Sequence, residues 1–308
     1  MPRPTAKSLT FDLLSTLRRG AMPVRALVAA AGLFGISENS LRVCLARLCA
    51  AGQIERDSRG RYRLGDAALA IDGHVQSWRH AHERLCDWAG SETGPSGEMG
   101  RGRWVAVQAR VSRPRSKQFR AGARALLLHG FRELADNLYL RPDNLSGGVD
   151  NLRDSLLRVG LDAQCLVFGL DALDADREAQ ARSLWQADRL APLYTRTRRE
   201  LEQSEQRLAR ADGLNGLGLE DAMVESFLLG GRAIRTIALD PLLPHPIVEH
   251  GQLAELVAAT RRYERAGRVC WAAFLAEHGV IHQRAPVDAR VDDAARALPS
   301  SVPEGVSA

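Results

Sequence analysis

Residues 36–65, ISENSLRVCLARLCAAGQIERDSRGRYRLG, decide the reading of this chain. Ser37 can cap a helix, because its hydroxyl accepts a hydrogen bond from a free amide of the first turn. Leu41, Cys44, Leu45 and Leu48 recur at helical spacing and make an inward face. The opposite face holds Asn39, Arg42, Val43 and Ala46, with Arg47 beside it. Apart from the arginines its side chains are short, which suits close approach to base edges and phosphates. Gly52 stops the helix. Two short strands are expected over 53–57 and 61–64, around Ser58-Arg59-Gly60. This is the order of a winged helix-turn-helix, a recognition helix followed by a wing.

Upstream residues fit that arrangement. Leu9, Leu13, Leu14 and Leu17 predict a helix over 9–19, and a second is expected over 24–31, with Pro23 suited to its first turn. Gly32-Leu33-Phe34-Gly35 makes the connection to the recognition helix. Leu13, Leu17, Leu27, Val28, Ile36, Leu41, Leu45 and Leu48 can share one small core. Charge is localised in the same place. Residues 1–65 hold 11 Lys/Arg against 4 Asp/Glu, whereas the remaining residues hold 31 against 33, so the chain's net charge of +5 originates at its amino-terminal end. A basic module on a near-neutral body points to a polyanion, because phosphate contacts supply most non-specific affinity. A three-helix unit with a hairpin can also dock protein, and an adaptor without operator specificity is the alternative reading.

At 308 residues the chain is long enough for two or three domains. No apolar run is long enough to cross a bilayer, and no charged-then-apolar secretion signal opens the sequence, so a cytoplasmic protein with no membrane partner is expected. The five cysteines, Cys44, Cys49, Cys86, Cys165 and Cys270, form no CxxC or Cys/His cluster, and no metal is expected. Cys44, Cys165 and Cys270 lie among apolar residues and read as reduced core residues. Lysine occurs only at Lys7 and Lys117, with arginine supplying the other positive charges throughout the chain.

Beyond the wing, 66–89 reads as a connecting helix and 90–100 as a glycine- and serine-rich linker. Residues 103–171 alternate in type, with strands over 103–111, 131–134, 137–141 and 163–169 and helices over 116–129 and 148–159. That β-α-β-β-α-β order predicts a ferredoxin-like fold. The rest reads as helical, over 174–186, 190–211, 219–239 and 253–278, with Asp240-Pro241-Leu242-Leu243-Pro244 as a sharp break. The expected fold class is therefore α+β and mostly helical. Its parts are a winged-helix domain with connecting helix over 1–89, a ferredoxin-like domain over 101–172, a helical domain over 173–284 and a disordered tail over 285–308.

Three segments together resemble the PaaX family of bacterial transcriptional repressors of phenylacetic-acid degradation. The first is FGISENSLRVCLARL, residues 34–48, with Gly52 and the hairpin residues Arg59, Gly60, Arg61 and Tyr62. The second is Arg101-Gly102-Arg103-Trp104 with the later Gly130-Phe131-Arg132-Glu133-Leu134, and the third is the DPLLP break behind a helix bearing Arg232 and Arg235. The linker at 90–100 and His245-Pro246 depart from the family pattern. The resemblance implies a homodimeric repressor with a winged helix, a ferredoxin-like middle and a helical carboxy-terminal region. It also implies a middle domain similar to small CRISPR-associated nucleases, and control by a coenzyme A thioester, phenylacetyl-CoA in the namesake.

For double-stranded operator DNA the expected contacts are Ser37, Asn39, Ser40, Arg42, Val43, Arg47, Arg59 and Arg61. Asn39 suits an adenine edge, Arg42 a guanine edge or phosphate, Arg47 a phosphate, and Arg59 the minor groove or backbone with Arg61 in support. Glu38 can pair with a nearby arginine and orient it. For a small-molecule effector, Arg232 and Arg235 share a helix face and can bind coenzyme A phosphates, while Trp185, Tyr194 and Phe227 can line an apolar or adenine-stacking wall. The alternative is that these arginines pair with Asp240, Glu225 or Glu220 and cap the helix end. No enzyme is expected and no cofactor beyond the effector. P-loop, GxSxG and dinucleotide fingerprints are lacking, and the strand RWVAVQARV has no carboxylate for metal-assisted cleavage.

Overall fold

A computed structural model describes residues 3–15, 17, 21–65, 103–110, 116–209, 218–244, 247–248 and 251–280. The connecting helix, the linker, the tail, Arg101-Gly102, His245-Pro246 and Cys86 lie outside these. Among the described residues the protein is α+β, predominantly helical, with two small antiparallel sheets. The described residues gather in two compact units. One draws on Met1–Arg79, Arg198–Arg235 and Ala259–Asp288, the other on His80–Thr197 and Thr236–Ala258.

The first unit opens with α1 (Ala6–Ser15), β1 (Met22–Pro23), α2 (Val24–Leu33), α3 (Glu38–Ala50), β2 (Ile54–Arg56) and β3 (Arg61–Leu64). Helix α1 starts three residues earlier than expected. Thr5 and Ser8 cap it reciprocally, each hydroxyl accepting the other's backbone amide at 3.0 and 3.1 Å. It is described through Ser15, whose hydroxyl donates to the Asp12 carbonyl at 2.7 Å, and the expected end at Arg19 lies outside the described residues. Pro23 sits one place before the first turn of α2, as its cap residue, and also ends β1. The sheet runs β1-β3-β2, with Met22 opposite Tyr62 and Ile54 opposite Leu64. Leu13, Leu17, Leu27, Leu41, Leu45 and Leu48 are buried as expected; Val28, Ile36 and Cys44 are half-buried, and Phe11, Met22, Phe34 and Ile54 complete the core.

In the second unit β4 (Trp104–Gln108), α4 (Lys117–Leu128), β5 (Arg132–Ala135), β6 (Leu138–Pro142), α5 (Gly148–Val159) and β7 (Leu166–Leu170) make a β-α-β-β-α-β run. The sheet order is β5-β6-β4-β7 and every pair is antiparallel. Asp136 and Asn137, at φ 38 and 64, form the two-residue turn that shifts β6 one place beyond expectation. Strand β7 begins at Leu166 rather than Ala163, because the Asp162 carboxylate and carbonyl accept the amides of Gln164 and Cys165 at 2.9 and 3.0 Å and hold a turn there. Cys165 is consequently half-buried, not a core residue; Cys270 is buried.

Four helices follow: α6 (Ala175–Ser183), α7 (Leu190–Leu208), α8 (Leu219–Ala238) and α9 (Gly251–Glu277). Trp104, Ala106 and Leu140 on one sheet face pack with Ala181, Trp185 and Leu243, so α6 and the DPLLP segment cover that face. The rings of Trp104 and Trp185 stack with centroids 6.0 Å apart. The indole of Trp185 donates to the Gly130 carbonyl at 2.8 Å. A methyl group on Gly130 would stand 2.9 Å from Pro241, so only glycine permits this approach.

At the centre is Arg141, fully buried, donating to the carbonyls of His129 at 2.6 Å and Pro142 at 3.1 Å and to the Asn144 side chain at 2.8 Å. Asn144 in turn donates to the Leu242 carbonyl at 2.6 Å. The Asp240 carboxylate accepts the Leu242 amide at 2.8 Å and the Tyr194 hydroxyl. Burial, together with that carboxylate, pushes the Tyr194 phenol far above its ordinary value.

Among the described residues no helix is long and apolar enough to cross a membrane.

Candidate nucleic-acid interface

Helix α3 owes its start to Ser37, whose hydroxyl accepts the Ser40 amide at 3.3 Å and donates to the Ser40 hydroxyl at 2.9 Å. Its end is a left-handed Gly52 at φ 65, with the Gln53 amide returning to the Leu48 carbonyl at 2.9 Å. Leu41, Leu45 and Leu48 anchor the helix on the core. That anchoring turns Ser37, Asn39, Ser40, Arg42, Val43, Ala46 and Arg47 outward, all exposed. Val43 is 42% exposed, high for an aliphatic side chain. Arg42 pairs with Glu38, one turn back, at 2.6 Å.

The hairpin tip is built by Asp57. Its carboxylate accepts the amides of Arg59 at 3.0 Å and Arg61 at 2.8 Å, and Gly60 closes the turn at φ 73. Arg59 is exposed at that tip. Arg61 differs: its guanidinium is half-buried and donates to the Ala21 carbonyl at 2.7 and 3.3 Å, fastening β3 to the chain entering β1. Arg63 is held across the hairpin by Glu55 at 2.5 and 2.8 Å.

Two further cations of the same module went unread in the sequence. Arg56 is exposed on β2, its guanidinium 5.9 Å from the Tyr62 ring. Lys7 lies over Phe11 at 5.6 Å and close enough to α3 to act on Cys44. Burial raises the Cys44 thiol, while Lys7 and Arg47 pull it back. Nothing in local spacing relates Lys7 to a helix more than thirty residues on; packing of α1 against α3 does.

The effector candidates do not share one setting. Trp185 and Tyr194 belong to the second unit; both are buried, the one bonded to Gly130 and the other to Asp240. Phe227, Arg232 and Arg235 belong to the first. Phe227 is half-buried between Phe34 and Trp271, at ring distances of 5.0 and 6.1 Å. Arg232 pairs with Glu200; Glu225 is held by Arg207 and Asp240 by Tyr194. Arg235 is exposed.

A solved structure of an uncharacterized protein of Mycobacterium tuberculosis, Rv0674, matches with a TM-score of 0.47 at 21% identity, over 87% of this chain and 99% of that one. Among curated proteins none matches the chain. The family model described as PaaX-like protein matches residues 5–68. That span runs from the cap of α1 to just beyond β3, so the helix-and-hairpin segment of this chain is PaaX-like, as its motifs indicated.

Proposed function

We propose that the chain is a DNA-binding transcriptional regulator whose residues 5–65 act as a winged helix-turn-helix. Helix α3 enters the major groove and the β2-β3 hairpin reaches the flanking backbone or minor groove. The observation that carries this reading is the outward face of α3. It is open, short-chained except at its arginines, and belongs to an amino-terminal stretch holding 11 Lys/Arg against 4 Asp/Glu. A buried or acidic face would have favoured the adaptor reading instead.

In the full proposal the protein is a homodimeric repressor of a catabolic operon. Two copies of α3 meet successive major grooves roughly 34 Å apart. An acyl-CoA thioester of the phenylacetyl-CoA kind releases it, by binding the DNA-competent and incompetent states unequally. PaaX-like similarity over residues 5–68 supports this reading. Of the effector candidates, Trp185 and Tyr194 are buried with their polar ends bonded and Arg232 is paired with Glu200, which leaves the exposed Arg235 on α8 best placed to meet a phosphate.

The test is titration of full-length protein against promoter fragments from its own locus and bulk competitor DNA, at several salt concentrations. The expected result is preference for one fragment, with affinity falling steeply as salt rises. Equal affinity for every fragment overturns the reading. Thermal shift with acyl-CoA thioesters and the free acids then tests the effector, which stabilises the state it binds.

A further inference from the structure

The Glu38–Arg42 pair stands at the open end of α3, and its geometry is informative. Nε and Nη2 of Arg42 both lie 2.6 Å from the same Glu38 oxygen, Oε1. The carboxylate therefore occupies the flank of the guanidinium and leaves its end, bearing one hydrogen on each Nη, turned elsewhere. Glu38 also keeps its second oxygen. Among the described residues neither group has another partner, and the two side chains are 56% and 55% exposed.

The pair thus displays two parallel donors beside an acceptor. In the major groove a guanine offers two acceptors, O6 and N7, and the cytosine paired with it offers one donor, the N4 amino group. The two patterns are complementary. As a unit the pair is also neutral, so it gains little from a phosphate and releases no net counterion. Phosphate attraction is left to the cations around it, Arg47 and Arg59. Val43, one residue on and exposed, supplies an apolar contact of the kind that recognises a thymine methyl at a neighbouring step.

We propose that Glu38 and Arg42 read one C·G base pair together, with Arg42 donating to guanine O6 and N7 and Glu38 accepting from cytosine N4. Glu38 is then a specificity-determining residue rather than a solvated partner that only steadies Arg42. The inference rests on the DNA-binding reading above and sharpens it.

The experiment selects preferred duplexes from a random pool with the unaltered full-length protein, then substitutes each base pair in turn. One C·G pair per half-site is expected to lose about tenfold in affinity on substitution. Glu38→Gln is expected to flatten discrimination against the wrong partner of that guanine and to bind random DNA more tightly, since a negative charge has gone from the interface. A role limited to steadying the helix predicts the tighter binding of random DNA without the flattened discrimination. Replacing the cytosine with N4-methylcytosine tests the same contact without altering the protein; it is expected to weaken binding of the unaltered chain more than that of Glu38→Gln, whose amide oxygen is an uncharged and weaker acceptor. A Glu38→Gln base profile identical to that of the unaltered protein, with N4-methylcytosine tolerated by both, overturns the proposal and leaves the DNA-binding reading standing. Failure of the unaltered protein to enrich any sequence overturns both.

Discussion

Arg42 and Arg141 have the same side chain and opposite surroundings. Arg42 stands in water on α3, with one carboxylate on its flank. Arg141 is enclosed on β6 and spends its donors on two carbonyls and Asn144. Removing Arg42 leaves Glu38 to be solvated at almost no cost. Removing Arg141 strands acceptors that water cannot reach, and each orphan costs about 1–3 kcal/mol. The contrast separates residues that a partner can use from residues the fold has already used. It explains why Trp185 and Tyr194, attractive as ligand walls in the sequence, are structural in the second unit: their polar ends are taken by Gly130 and Asp240.

The strongest way to break the contrast is Arg141→Met. It is expected to lower unfolding free energy by about 3–5 kcal/mol in urea titration, since several buried acceptors lose their donor together. A loss within about 0.5 kcal/mol would mean the buried network contributes no net stability. Tyr194→Phe removes one hydroxyl from the buried Asp240 carboxylate, and a loss of about 1–3 kcal/mol is expected. Unchanged stability with a lost acyl-CoA thermal shift would return Tyr194 to the effector site.

Arg42→Ala is expected to cost about 1–3 kcal/mol of operator binding and to relax base preference, with stability altered by less than about 0.5 kcal/mol. Equal losses on operator and random DNA would make Arg42 a phosphate contact instead. Arg59→Ala, by contrast, is expected to weaken binding to all sequences and to lower the salt slope.

The smallest effect is a pH dependence. Tyr263 on α9 shares a hydrogen bond with Ser204, which also donates to Glu225, and burial above all pushes its phenol up to about 12. A raised phenol is neutral in both folded and unfolded chains below its ordinary value of 10. Its stability contribution is therefore full below pH 10 and is lost as pH rises from there toward 12. Alkaline unfolding of the unaltered chain should show that increment, and Tyr263→Phe should lack it.

Periodic elements were legible because their signals are local. Helix α5 spans the expected residues 148–159, and α8 falls one residue short of its expected end. Ser37 and Gly52 bounded α3 for reasons contained in a few neighbouring residues. Strand edges were less legible, because turns at Asp136-Asn137 and Asp162–Cys165 compete with the apolar runs beside them. Strand β1 escaped notice entirely. It has two residues and exists through Tyr62 and the Arg61 guanidinium, some forty positions away.

The motifs that prompted the family resemblance beyond the hairpin also changed meaning. Trp104, Gly130 and the DPLLP segment are far apart in sequence, and each counted only toward the family resemblance. In the second unit they meet: Trp104 stacks on Trp185, Trp185 bonds Gly130, and Gly130 touches Pro241. They are joints of the fold.

By itself, then, the sequence determined the start and stop of α3 and α5, which face of α3 is apolar, and that the first 65 residues carry net positive charge, because periodicity, capping and charge act over one or two turns or by simple addition. Only the tertiary structure decided which arginines remain open to a partner. A guanidinium is satisfied by whatever acceptors packing brings to it, and Arg61, Arg141 and Arg232 each bond an acceptor 12 to 40 residues away.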